Sequence, residues 1–176
     1  RKAPPVLPVD VVRYMMGQPL DHNPGERYAY SNLGYLVLGR IIEAVTGESY
    51  EPYVKQQVLA PLGIKSMQLG KARIENRAPR EVKYYDAQNR FEPSVTPPDL
   101  GSRVPRQYGG ANLEGYEAHG GWIASAVDLV RFATAFNDPA KSPLLSKESI
   151  ELMWSAPPGS VGHDDKHHQA KQCKCD

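Results

Sequence analysis

Cysteine is nearly absent from this sequence. Cys173 and Cys175 both fall among the last four of its 176 residues, so no disulfide framework holds the part expected to fold. That leaves the compartment open, because a protein of an oxidising space can also lack disulfides. Excess charge is missing too. A net charge of +1 gives no ground for nucleic acid or an anionic membrane surface as a partner. No apolar run approaches the ~20 residues that span a bilayer. The opening Arg1-Lys2-Ala3-Pro4-Pro5 lacks the pattern of a signal peptide. There is no initiating Met, which reads as a processed or excised product. The Gly-x-Ser-x-Gly elbow, the phosphate loop and His-Glu-x-x-His are also absent, which removes three common routes to hydrolysis.

What is present suits one soluble domain of ordinary size. Hydrophobic residues make up 40% and charged residues 23%, a globular balance with enough chain for a core. There are no internal repeats. A short helix is expected over Val9–Met16, ended by Gly17. The strongest helical pattern runs from Leu33 to Val45, where Leu33, Leu36, Val37, Ile41 and Val45 form one apolar stripe and Gly47 supplies the stop. Ser49 reads as the next N-cap, with a helix that stops before Pro61. Residues 81–86, Glu-Val-Lys-Tyr-Tyr-Asp, alternate like a strand. Residues 92–110 are rich in Pro and Gly and read as a long irregular connection, the kind that walls or covers a cleft. Ser125 with Asp128 is close to a capping box ahead of a helix burying Leu129, Phe132, Ala133 and Phe136. Ser146 caps a last helix through Ile150, Met153 and Trp154.

One stretch raises a question of chemistry. Residues 24–47 read PGERYAYSNLGYLVLGRIIEAVTG, and they put two tyrosines and an asparagine at the mouth of an apolar helix. On local pattern this is a cap with aromatic packing: Ser31 or Asn32 caps, and Tyr28 staples to Leu33. The wider sequence says more. Tyr30-Ser31-Asn32 in this setting, VLAPLGIKSMQLG, HGGWIASAVDLVRFATAF and PLLSKESIELM follow one another in family order. Together they resemble the serine β-lactamase and penicillin-binding-protein superfamily, in its class C-like branch of D-amino-acid peptidases and carboxylesterases. The resemblance runs from about residue 10 to about residue 158.

The resemblance implies amide or ester hydrolysis through an acyl-serine intermediate, on a small-molecule substrate. Tyr30 is then the general base or acid, and Asn32 positions substrate or lysine through its amide. A phenol with an ordinary pKa near ~10 does this only beside cations, which the family supplies as lysines in Ser-x-x-Lys and Lys-Thr-Gly-like elements. Neither element is here. No serine is followed by lysine three residues later, and only 29 residues precede Tyr30, too few for the strand and nucleophile helix. His119-Gly120-Gly121 matches the Lys-Thr-Gly pattern only in form. It reads instead as a tight turn ahead of a Ser-capped helix, with His119 a loop histidine.

The expected fold is therefore α+β and mostly helical. It covers chiefly the helical subdomain of a β-lactamase/transpeptidase-like fold, with most of the sheet missing. Residues 1–158 form the related domain, and 159–176 form a disordered or unrelated tail. In that tail His163, Asp164, His167, His168, Cys173 and Cys175 are possible metal ligands, but their spacing matches no zinc arrangement, so no metal and no cofactor are expected. Two other readings stay open: a truncated product without chemistry, and an interaction module. Apolar helix faces left without a sheet are expected to make the chain self-associate.

Overall fold

Ser31 sets the start of the longest helix. In a computed structural model, residues 5–26 and 29–155 are described. Ser31 is extended, and its Oγ accepts the Gly34 N–H at 3.1 Å. Helix α2 then runs Asn32–Thr46 and ends where Gly47 turns left-handed at φ 74°. Leu36 and Gly39 are its buried positions. A Cβ on Gly39 would stand 2.9 Å from the Ala118 Cβ, so glycine lets the 3₁₀ turn Glu117–His119 pack directly on the helix. Helix α1, Pro8–Met15, the element before it, also packs on α2, with Pro8 in its first turn. Gly17 does not act as a left-handed stop. The cap residue is Met16, still in the right-handed helical region.

Helix α3, Tyr50–Val54, follows Ser49, but the Ser49 side chain makes no cap bond. The Tyr50 N–H is taken instead by Glu43 Oε1 of α2 at 2.9 Å. The helix also does not stop before Pro61. It widens into a π turn over Lys55–Leu59 and tightens into a 3₁₀ turn over Ala60–Leu62. Pro61 sits in the first turn of that last piece, where its missing N–H has no partner to lose. Leu59 and Ile64 are buried behind it.

Strand β1, Gln68–Leu69, pairs antiparallel with β4, Trp122–Ile123, in the register Gln68↔Ile123 and Leu69↔Trp122. The Gly70 N–H extends the pairing to the Gly121 carbonyl at 2.8 Å. The expected strand over 81–86 is not formed. Val82 is 70% exposed and Tyr85 is exposed as well, so no apolar face is buried there. Tyr84 donates its N–H to Tyr108 Oη at 2.7 Å, and its carbonyl accepts from Gln107 Nε2 at 3.2 Å. Side chains thus take the place of a ladder partner.

The stretch read as irregular holds a hairpin instead. Strand β2, Phe91–Pro93, pairs with β3, Arg103–Pro105. Ser94 and Thr96 are buried just beyond it, and Ser94 exchanges backbone bonds with Ser102 and Gly101 at 2.8 Å each. Alternating hydrophobicity could not reveal it, because its buried residues are hydroxylic.

Helix α4, Ala126–Thr134, is capped by Ser125, whose Oγ accepts the Asp128 N–H at 3.1 Å. Its buried face differs from the expected one. Leu129 is 54% exposed and Ala133 is exposed, while Phe132 and Phe136 are half-buried and meet edge to face at 5.3 Å. The positions that go inside are Asp128 and Ala135. Helix α5, Lys147–Trp154, is capped by Ser146 and centred on fully buried Ile150; Met153 and Trp154 are exposed. The described residues are thus mostly helical, with two two-stranded pieces of sheet. No helix among them is long and apolar enough to cross a membrane. The outer faces of α2 (Leu38, Ile41, Val45) and α4 (Val127, Leu129, Val130) lie open. Residues 159–176 lie outside the described residues.

Candidate functional site

Tyr30 and Asn32 flank the cap residue at the mouth of α2. The Tyr30 hydroxyl donates to Asn32 Oδ1 at 2.9 Å, and Tyr30 is 74% exposed. The ring is therefore outside the core, with its hydroxyl tied to a carboxamide. Ser31 does the capping, so neither neighbour is needed to close the helix. Among the described residues no ion pair and no second hydrogen bond reaches the Tyr30 hydroxyl. Tyr28, the expected staple, lies outside the described residues.

A second cluster joins α2 to the segment before β4. Arg40 pairs with Glu43 at 2.6 Å and with Glu117. Burial pushes the Glu117 carboxyl up, against the downward pull of Arg40. Glu117 also holds a positive φ of 38°, a conformation that persists only when its surroundings enforce it. Gly120 has φ 127°, and a Cβ on Gly121 would stand 2.8 Å from the Glu117 nitrogen, so both glycines are needed for the tight turn expected there. Contrary to expectation, the turn enters strand β4 before α4 begins. His119 meets the Tyr116 ring in a tilted contact at 4.8 Å, and burial pushes its imidazole pKa down. Trp122 Nε1 donates to Tyr50 Oη at 3.2 Å; burial is the larger influence there and pushes the Tyr50 phenol up.

The third feature is Asp128. It is 4% exposed and accepts hydroxyl protons from Ser66 and from Ser125, the latter at 3.0 Å. These bonds, the Ser66 bond first, hold its carboxyl below the usual carboxylate range. The expected capping box is thus only half formed, because Asp128 takes hydroxyls. Ser66 and Ser125 also line a groove of about 500 Å³ between residues 78–84 and 123–125. Tyr30 and Asn32 do not line it. Arg40, Glu117 and Ser66 carry no local motif, and the contacts Arg40–Glu117 and Ser66–Asp128 join residues 77 and 62 positions apart, so no local pattern announces them. Among the described residues no group of three or more His, Cys, Asp or Glu is placed to hold a metal ion. The His and Cys residues of the tail lie outside them.

The Beta-lactamase family model matches residues 2–169. The chain belongs to the β-lactamase family, a family of serine hydrolases. The match continues past residue 158. Among β-lactamase relatives, Protein flp of Staphylococcus aureus (strain MW2) is 48% identical over 56 residues, which are 32% of this chain and 11% of that protein. The octameric penicillin-binding protein homologue from Pyrococcus abyssi is 30% identical and superposes with a TM-score of 0.61, over 89% of this chain and 32% of that one. The D-amino acid amidase from Ochrobactrum anthropi shares the fold at 24% identity and a TM-score of 0.57, over 82% of this chain and 39% of that one. The chain therefore spans about a third of the archaeal chain it matches.

Proposed function

We propose that the chain is the Tyr-x-Asn portion of a serine hydrolase that cleaves an amide or ester through an acyl-serine intermediate. The observation that carries this is the Tyr30–Asn32 hydrogen bond of 2.9 Å at the open mouth of α2, inside a chain of the β-lactamase family. In this reading Tyr30, as phenolate, accepts the proton of a serine hydroxyl while that oxygen attacks the acyl carbon. Tyr30 then returns the proton to the leaving amine or alcohol, and the same exchange with water releases the acid. Asn32 accepts the hydrogen bond of the neutral phenol at Oδ1, and a flip of its amide presents Nδ2–H to the phenolate and to substrate. The solved amidase of this fold, crystallised with D-phenylalanine, supports an amide of a small amino-acid-like substrate.

The serine and its lysine come from outside these 176 residues, since none of the serines here has lysine at the third position after it. By itself the chain is then a non-catalytic or interaction module. Its open α2 and α4 faces and the octameric homologue support self-association.

A chimera tests the reading. The matching third of a β-lactamase-family esterase is replaced by this chain, and hydrolysis of p-nitrophenyl acetate is followed. The chimera should turn over, and Tyr30→Phe should lower kcat by about 10²–10⁴-fold. An active chimera indifferent to Tyr30→Phe refutes the role of Tyr30.

A further inference from the structure

Arginine is the most heavily paired cation in the described part of this molecule. Arg13, Arg40, Arg73, Arg90, Arg106 and Arg131 each meet a carboxylate. Among the described residues Arg77, Arg80 and Arg103 have no such partner, and Arg80 stands at one wall of the groove described above. Arg80 lines that groove and holds a left-handed backbone, φ 66°. Outliers of this kind gather at ligand sites. Arg77 precedes Ala78 of that wall in sequence, and its Nε and Nη1 are buried with no hydrogen-bond partner.

The nearby carboxylates are hydrogen-bonded within the chain. Glu81, the carboxylate in the groove wall, accepts the Ala78 N–H at 2.7 Å and the Tyr84 hydroxyl. Asp128 lies behind Ser66 and Ser125 and is held by both hydroxyls and by Arg131. Val82 and Ile123 supply apolar wall. At about 500 Å³ the groove has the size of a small-molecule site.

We propose that this groove binds a small organic carboxylate, with the charge on Arg80 and a short apolar tail against Val82 and Ile123. Arg77, three residues before Arg80, adds a second positive charge to this segment. The site is distinct from Tyr30 and Asn32, and it does not depend on the reading of those residues.

The test is titration of the full isotope-labelled chain with hexanoate, hexanamide and sulfate at constant ionic strength, followed by amide NMR shifts. Hexanoate should give saturable shifts at residues 78–84 and 123–125, with Kd near ~1 mM or tighter. Arg80→Gln should weaken it by about tenfold, with the rest of the spectrum unchanged, because Arg80 is exposed. Hexanamide and sulfate should bind at least tenfold more weakly. Four outcomes overturn the proposal: no saturation by hexanoate, equal binding of hexanamide, equal binding of sulfate, or an affinity that survives Arg80→Gln.

Discussion

The junction of α2 with residues 116–122 and the stretch 78–110 are built on opposite plans. At the junction the backbone is satisfied inside its own helix and turns, and side chains join elements far apart in sequence. Arg40 reaches Glu117, Gly39 admits Ala118, and Trp122 reaches Tyr50. In the stretch 78–110 the side chains bond within the stretch and repair its backbone. Asp86 accepts from Arg90, and Tyr108 and Gln107 take the two backbone groups of Tyr84. The first plan concentrates stability in a few tight contacts. The second spreads it over exposed hydrogen bonds, each worth about 1 kcal/mol. Substitutions should therefore separate the two regions by size of effect.

The largest effect is expected at Gly39. Gly39→Val places a branched side chain where even a Cβ would meet Ala118 at 2.9 Å, and forcing the turn off the helix should destabilise by about 2–3 kcal/mol. Urea unfolding should show a lower midpoint with an unchanged slope. A loss below ~0.5 kcal/mol would break the contrast. The next effect is in acid. The Asp128 carboxyl is held low in the folded state, chiefly by Ser66. Its contribution is present above the ordinary carboxylate pKa and is lost as pH falls through the lowered folded value. Wild type should lose Tm on acidification in that range, and Asp128→Asn should start lower and fall less. Parallel pH curves would show that Asp128 does not carry the effect. The smallest effect is expected at Tyr108. Tyr108→Phe removes the acceptor of an exposed N–H and should cost about 1 kcal/mol or less. A loss as large as that of Gly39→Val would erase the difference between the regions.

The same contrast explains what the sequence made legible. Where structure is set by period and by capping, residues declared it: Ser31, Ser125 and Ser146 as caps, Gly47 as a stop, Gly120-Gly121 as a turn. Where the backbone depends on distant side chains, the pattern misled. Residues 81–86 alternate like a strand, yet Tyr84 finds its partners at Gln107 and Tyr108. The hairpin β2–β3 packs Ser94 and Thr96 inward, which no hydrophobic pattern announces. On α4 the apolar stripe pointed one way, but buried Asp128, fixed by Ser66, turned the helix another. At the candidate site, the cap fixes where Tyr30 and Asn32 stand, and their bond at 2.9 Å follows from that placement. The Arg40–Glu117 pair was invisible because its halves lie 77 residues apart.

The central claim is that this chain carries the Tyr-x-Asn element of a serine hydrolase without an activated serine of its own. The most direct measurement is covalent labelling of the purified chain with a fluorophosphonate probe, read by intact mass and peptide mapping. Losing an activated nucleophile costs many orders of magnitude in rate, so the account predicts no adduct beyond that of the heat-unfolded control. A stoichiometric adduct on one serine, reduced by Tyr30→Phe, would contradict it.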